Sequence, residues 1–182
     1  MGALRLVAVA AHSEAPDTAN LWRIRRFVEL LAGSCGSSLA LLVGGYWGFM
    51  RVLVDEALGR GLRVVVLPPV EREDVEFPEE AIVLRTGLSY RLRSVAMVRS
   101  CDALVVLGGA SGTIQELVTA YTEGKPVMLL LSGLPSDRVS ALAPYLDDRR
   151  VSEIRVFDSV EKLVPELCRA VAERRGGPAK LS

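Results

Sequence analysis

Strand-sized apolar runs alternate with amphipathic segments along almost the whole chain, and this alternation constrains the fold more than any other feature. The runs are LRLVAVA (4–10), LALLV (39–43), LRVVVLP (62–68), AIVLR (81–85), ALVVL (103–107), PVMLLL (126–131) and EIRVF (153–157). Between them the spacing predicts helices near 17–32, 48–60, 89–100, 113–123 and 160–174, and a weaker one near 136–146. Strands that are apolar on both faces must be covered on both faces. The predicted fold is therefore a doubly wound α/β domain over residues 1–175, with a mostly parallel sheet between two helical layers. GGPAKLS (176–182) reads as a disordered tail. PPVEREDVEFPEE (68–80) reads as a solvated crossover loop, with a flap over a site as the alternative.

Composition removes several function classes. The chain carries 22 basic and 22 acidic residues, so no general field gathers nucleic acid or an acidic membrane. No apolar run approaches the ~18 residues of a membrane span, and MGALRLVAVAAHS reads as a first strand rather than a signal peptide. Cys35, Cys101 and Cys168 are odd in number and lack metal or redox spacing, so they are expected as buried, reduced thiols in a cytoplasmic protein. A single histidine, His12, rules out multi-histidine metal sites, and no metal or cofactor is expected. Asn20 and Gln115 are the only side-chain amides, a depletion that suits a thermophile or reflects genome base composition.

In an open α/β sheet, ligands sit beyond the carboxyl ends of the strands, where helix N-termini present unpaired N–H groups. Three strand-to-helix turns meet that description: AAHSEAPDTAN (10–20), GGYWGFM (44–50) and GGASGT (108–113). None contains GxGxxG, and EGKPV (123–127) lacks the first glycine and the Ser/Thr of a P-loop, so dinucleotide and P-loop ATP binding are disfavoured. The last turn supports two readings. Thr113 and Glu116 have the spacing of a capping box, in which both side chains serve their own helix start. Alternatively, Gly108, Gly109, Gly112 and Thr113 cradle a phosphate and Glu116 faces the ligand. In the preceding helix Leu92, Val95, Ala96 and Val98 read as the apolar stripe, which would leave Arg91, Arg93 and Arg99 on an exposed basic face. Trp22 reads as core and Trp47, inside a glycine turn, as a ligand-stacking candidate.

Taken together, GGYWGFM (44–50) and RSVAMVRSCDALVVLGGASGTIQE (93–116) resemble the LONELY GUY family, long mislabelled as lysine decarboxylases. That family pairs a GGxxGxM turn with an RxxxM…SD…PGGxGTxxE block. The resemblance spans roughly residues 4–131. It is closest to a branch of small archaeal and bacterial members with TG before the arginine, here Thr86 and Gly87, which also resembles molybdenum-cofactor carrier proteins.

The resemblance implies a Rossmann-like homodimer that cleaves nucleoside 5′-monophosphates to free base and ribose 5-phosphate, or else holds a nucleotide or molybdenum cofactor without cleaving it. It places Arg93 and Glu116 at the catalytic positions. Gly44, Gly45, Gly48, Met50, Gly108, Gly109, Ala110, Ser111, Gly112 and Thr113 then form the phosphate- and nucleotide-binding turns, with His12, Ser13 and Trp47 as further candidates. Pyridoxal phosphate chemistry is not expected, because Lys125, Lys162 and Lys180 are the only lysines and none is well placed for a Schiff base. The chain departs from the motif in three places. Gly108 replaces its proline, Ser94 stands where a second basic residue often follows the arginine, and Ala110 replaces a glycine. A left-handed backbone at Ala110 would cost about 1–2 kcal/mol.

Overall fold

A computed structural model describes residues 4–173. Seven parallel strands form one sheet in the order β4-β3-β2-β1-β5-β6-β7: β1 (Arg5–Ala11), β2 (Leu39–Val43), β3 (Arg63–Val66), β4 (Ile82–Val83), β5 (Ala103–Gly108), β6 (Val127–Leu130) and β7 (Ile154–Phe157). The helices are α1 (Thr18–Gly33), α2 (Gly48–Gly59), α3 (Tyr90–Ser100), α4 (Ser111–Thr122) and α5 (Val160–Glu173). Strand order reverses between β1 and β5, and the turns that end β1, β2 and β5 meet beside that reversal.

Alternation within the strands explains the two layers. Val7 and Val9 of β1 pack with Phe27, Leu31, Leu53 and Leu167 under α1, α2 and α5, whereas Ala8 and Ala10 face Met97, Leu117 and Tyr121 under α3 and α4. Small residues on the second face let α3 and α4 sit close to the carboxyl end of β1. Phe27 and Tyr121 are fully buried, and each such side chain contributes about 2–3 kcal/mol of apolar transfer. Among the described residues, no helix is long and apolar enough to cross a membrane.

Several sequence expectations need correction. The strand expected at 81–85 shrinks to Ile82–Val83, paired only with β3 at the sheet edge, where Ile82 and Leu84 are exposed. The weak helix near 136–146 is a 3-10 segment, Pro135–Leu142; it stops before Ala143, held extended by the following Pro144. Trp22 is 58% exposed, because α1 turns Asn20, Ile24, Phe27, Val28 and Leu31 inward instead.

Cys35 and Cys168 form a disulfide and are not reduced thiols. The end of α1 lies alongside α5 with 5.8 Å between the two Cα atoms, a proximity that a sequence separation of 133 conceals. Cys101 remains a buried thiol that donates to the Val98 carbonyl.

The 68–80 interval is a crossover tied down at several points. The Val70 N–H donates to the Leu88 carbonyl, the Gly87 N–H to the Glu73 carboxylate and Arg85 Nε to the Glu73 carbonyl. The tail at 176–182 and Lys180 lie outside the described residues.

Candidate functional site

The turns after β1, β2 and β5 enclose a cavity of about 460 Å³ with the first turns of α3 and α4. Of the predicted site residues, His12, Ser13, Gly44, Trp47, Met50, Arg93, Ala110, Ser111, Gly112, Thr113 and Glu116 line it. Gly45, Gly48, Gly108 and Gly109 do not; they shape the turns from behind.

Two glycines show why a larger residue does not fit. Gly108 has φ +116°, a conformation that L side chains rarely adopt, and a Cβ there would overlap Ser132. Gly44 has ordinary backbone, but a Cβ would overlap the Arg93 guanidinium. Ala110 has φ −110° and ψ −148°, so the predicted left-handed strain does not arise at this residue. The unusual conformation sits two residues earlier, on Gly108.

The capping-box reading is excluded. Helix α4 starts at Ser111 with Ala110 as its N-cap, so Thr113 is already inside the first turn and no side chain caps the helix. Its first-turn N–H groups have no acceptor within the helix. The Gly109 N–H, by contrast, is engaged by Ser136 Oγ at 3.1 Å, while the Gly109 carbonyl accepts from the Ser136 N–H. Open donors toward the cavity therefore belong to residues 111–113 rather than to Gly109.

Glu116 reaches across to α3 instead of back to its own helix. Its Oε1 accepts from Arg93 Nη1 at 3.2 Å and from Ser94 Oγ at 2.8 Å. Arg93 and Glu116 side chains are only 7% and 8% exposed. Loss of water at this depth outweighs the attraction of Arg93 and the Ser94 hydrogen bond, so the Glu116 carboxyl is pushed above the usual carboxylate range. The same burial lowers the Arg93 proton affinity against the pull of Glu116, yet a guanidinium stays charged. Arg93 Nε is buried without an acceptor among the described residues, a cost of about 1–3 kcal/mol. A buried ion pair with an unsatisfied donor is an expensive way to build a core and is characteristic of functional sites.

The predicted apolar stripe of α3 holds only in part: Val98 is buried and Val95 and Ala96 are half-buried, but Leu92 is 60% exposed, and Arg93, Ser94 and Met97 face inward in its place. Arg91 is exposed and donates to Gln115 Oε1 at 2.8 Å, and Arg99 is exposed beside Glu123.

The aromatic wall also involves residues that sequence reasoning missed. Trp47 packs over Gly45, meets Tyr90 edge-on at 6.5 Å and carries the Arg72 guanidinium 5.6 Å from its ring centroid. Arg72 comes from the crossover 68–80, whose polar composition hid its contact with Trp47. On the other side, the His12 carbonyl accepts from the Phe49 N–H, fixing the β1 turn to the start of α2.

Other motif residues hold the scaffold together. Asp102 accepts from the Leu6 N–H at 2.9 Å at the amino ends of β5 and β1, away from the cavity. Lys125 donates to the carbonyls of Arg99 and Cys101 at the end of α3, and Lys162 pairs with Asp158. Among the described residues, no three His, Cys, Asp or Glu side chains group as metal ligands.

Comparison with known proteins agrees with this architecture. An uncharacterized protein of Archaeoglobus fulgidus is 32% identical over 124 residues, covering 68% of this chain and 71% of that protein. The X-ray structure of the structural-genomics target TM1055 superposes with a TM-score of 0.81 at 30% identity, covering 91% of this chain and 99% of that one. The molybdenum cofactor binding protein from the phototrophic bacterium Rippkaea orientalis shares the fold, with a TM-score of 0.74 at 22% identity over 93% and 98% of the two chains. The model of the SLOG cluster4 family matches residues 7–164, and the chain, a LONELY GUY-like Rossmann protein, belongs to that family.

Proposed function

We propose that the chain is a metal-independent phosphoribohydrolase that cleaves the N-glycosidic bond of a nucleoside 5′-monophosphate. The observation that carries this reading is the buried Arg93–Glu116 pair in the wall of a cavity floored by the uncapped N-terminus of α4.

The 5′-phosphate sits on the N–H groups of Ser111, Gly112 and Thr113, where the helix dipole favours negative charge. The sugar lies over Glu116, one turn further along α4. As the C1′–N bond breaks, positive charge grows on the ribose ring and the carboxylate stabilises it. Water adds its oxygen to C1′ and one of its protons ends on the departing base, giving base and ribose 5-phosphate. A carboxylate with raised proton affinity is suited to take up that proton as water attacks and pass it to the base, while the other proton stays on the new C1′ hydroxyl. The Arg93 fork orients Glu116 and offers its remaining donors to ligand oxygens. Trp47 and Tyr90 give the base an aromatic wall. Phosphate binding remote from the bond that breaks then holds the sugar in register. A homodimer, as the family resemblance implies, is part of this proposal.

A second reading is a carrier of a phosphorylated pterin, favoured by the likeness to the molybdenum cofactor binding protein of Rippkaea orientalis. The same anion seat and aromatic wall would serve it. Incubation with a panel of nucleoside monophosphates, reading free base and ribose 5-phosphate, separates the two. Turnover that is lost in Glu116→Gln and Arg93→Ala supports the hydrolase. No turnover on any nucleotide, with tight pterin or nucleotide binding, supports the carrier.

A further inference from the structure

We infer that Ser94 is the positioning residue of the site: its hydroxyl fixes Glu116 so that Oε1 faces α3 and Oε2 is the oxygen presented to a ligand. The inference rests on the hydrolase reading for its catalytic consequence, but not for its geometry.

Both donors from α3 converge on one atom. Arg93 Nη1 and Ser94 Oγ donate to Glu116 Oε1 at 3.2 and 2.8 Å, and neither reaches Oε2. Glu116 lines the cavity, so the oxygen left over is the one available to a sugar hydroxyl or a water. A carboxylate held through one oxygen only is fixed in position yet keeps acceptor capacity on the other.

The behaviour of three other hydroxyls on α3 and α4 shows that this arrangement is not the default. Ser100 on α3 donates to the Ala96 carbonyl four residues back, and Thr119 and Thr122 on α4 donate to the carbonyls of Gln115 and Val118. That local bond is what a hydroxyl inside a helix ordinarily makes. Ser94 is 93% buried and sends its hydroxyl across to α4 instead. Serine is also a mediocre helix former, so helix stability gives no reason for it at this position.

Neutrality matters as well. Arg93 is already one cation on Glu116, and a second at position 94 would pull the carboxyl's proton affinity down and compete with the ligand for Oε2. A hydroxyl anchors the carboxylate without doing so.

The test reads Glu116 directly, by carboxyl ¹³C NMR titration of glutamate-labelled protein with Glu116→Gln for assignment. Ser94→Ala removes a hydrogen bond to the charged form, so the Glu116 midpoint should rise by about one pH unit, while Ser94→Thr keeps the wild-type midpoint. In turnover, Ser94→Ala should lower kcat about tenfold with little change in KM and move the acidic limb of the pH profile upward by the same amount, with Ser94→Thr restoring most of the loss. If Glu116 titrates identically in wild type and Ser94→Ala, the positioning role is overturned. Absence of nucleotide turnover in the wild type would defeat the hydrolase reading alone, and the titration would still decide the role of Ser94.

Discussion

The guanidinium of Arg93 rests against the Cα of Gly44, so the turn after β2 and the helix before β5 are matched to each other through one side chain. Gly44 has no unusual φ, so Gly44→Ala introduces no backbone strain and acts only by pushing Arg93 away from Glu116. Turnover should fall about 10–100-fold, the usual scale for a displaced catalytic group. Gly59→Ala, where a Cβ meets nothing within 4 Å, is the control and should leave activity unchanged. Equal activity in the two variants would mean that Arg93 placement is not limiting.

Glu116→Gln should reduce kcat by about 10²–10⁴-fold while preserving the fold, because the amide oxygen still accepts from Ser94 and Arg93. Its stability relative to wild type should change with pH in a definite direction. The folded-state pKa of Glu116 lies above its unfolded value, so between the two the native protein holds more protons than the unfolded chain. Wild-type stability on this account is present below the unfolded value and is lost as pH rises through the folded one. The glutamine variant has no such proton to lose, so the melting temperature difference should move in its favour as pH increases across that window. Thermal melts of both proteins from pH 4 upward check this, and an opposite slope would mean that pairing, not desolvation, dominates at Glu116.

The Cys35–Cys168 bond closes a loop of 133 residues, and the chain-entropy account gives about 5 kcal/mol for a loop of that length. Reduction, or Cys168→Ser, should therefore lower the melting temperature by about 10–15 °C. The staple joins the end of α1 to α5, roughly 24 Å along α1 from the turn that enters the cavity, so ligand affinity should be unaffected. Melting curves with and without reductant decide it; coincident curves would argue that the staple adds nothing.

The parts of the molecule legible in the sequence are those governed by local periodicity. Residues 39–43 and 103–107 read as buried strands because both of their faces are covered, and their turns open on one cavity because strand order reverses between β1 and β5. What stayed hidden depends on partners distant in sequence. Burial of Arg93 and Ser94 in place of Leu92 is decided by Glu116, more than twenty residues further on, and rotates the buried face of α3 away from the expected one. Ser136 takes up the Gly109 N–H from 27 residues away, which no motif spacing encodes. Arg72 reaches Trp47 from a crossover that composition describes only as polar. Motif spacing points to strain at Ala110, but the left-handed residue is its neighbour but one, Gly108.

Trp47 tests where the base lies. Its indole lies against Gly45, meets Tyr90 edge-on and has the Arg72 guanidinium 5.6 Å from its ring centroid, so it is preorganised as one wall of the cavity. Stacking of a base on an aromatic side chain is worth about 1–3 kcal/mol. Trp47→Ala should therefore raise KM for a nucleoside monophosphate by about 5–150-fold with a much smaller change in kcat, since binding is lost in ground and transition states alike. Binding of ribose 5-phosphate, which has no base, should not change if its contacts are those proposed with residues 111–113 and Glu116. Arg72→Ala should give a weaker version of the same pattern, having removed only the group that presses on the indole. Unchanged KM in Trp47→Ala would place the base elsewhere in the cavity, and a parallel loss of ribose 5-phosphate binding would show that the tryptophan supports the turn rather than the ligand.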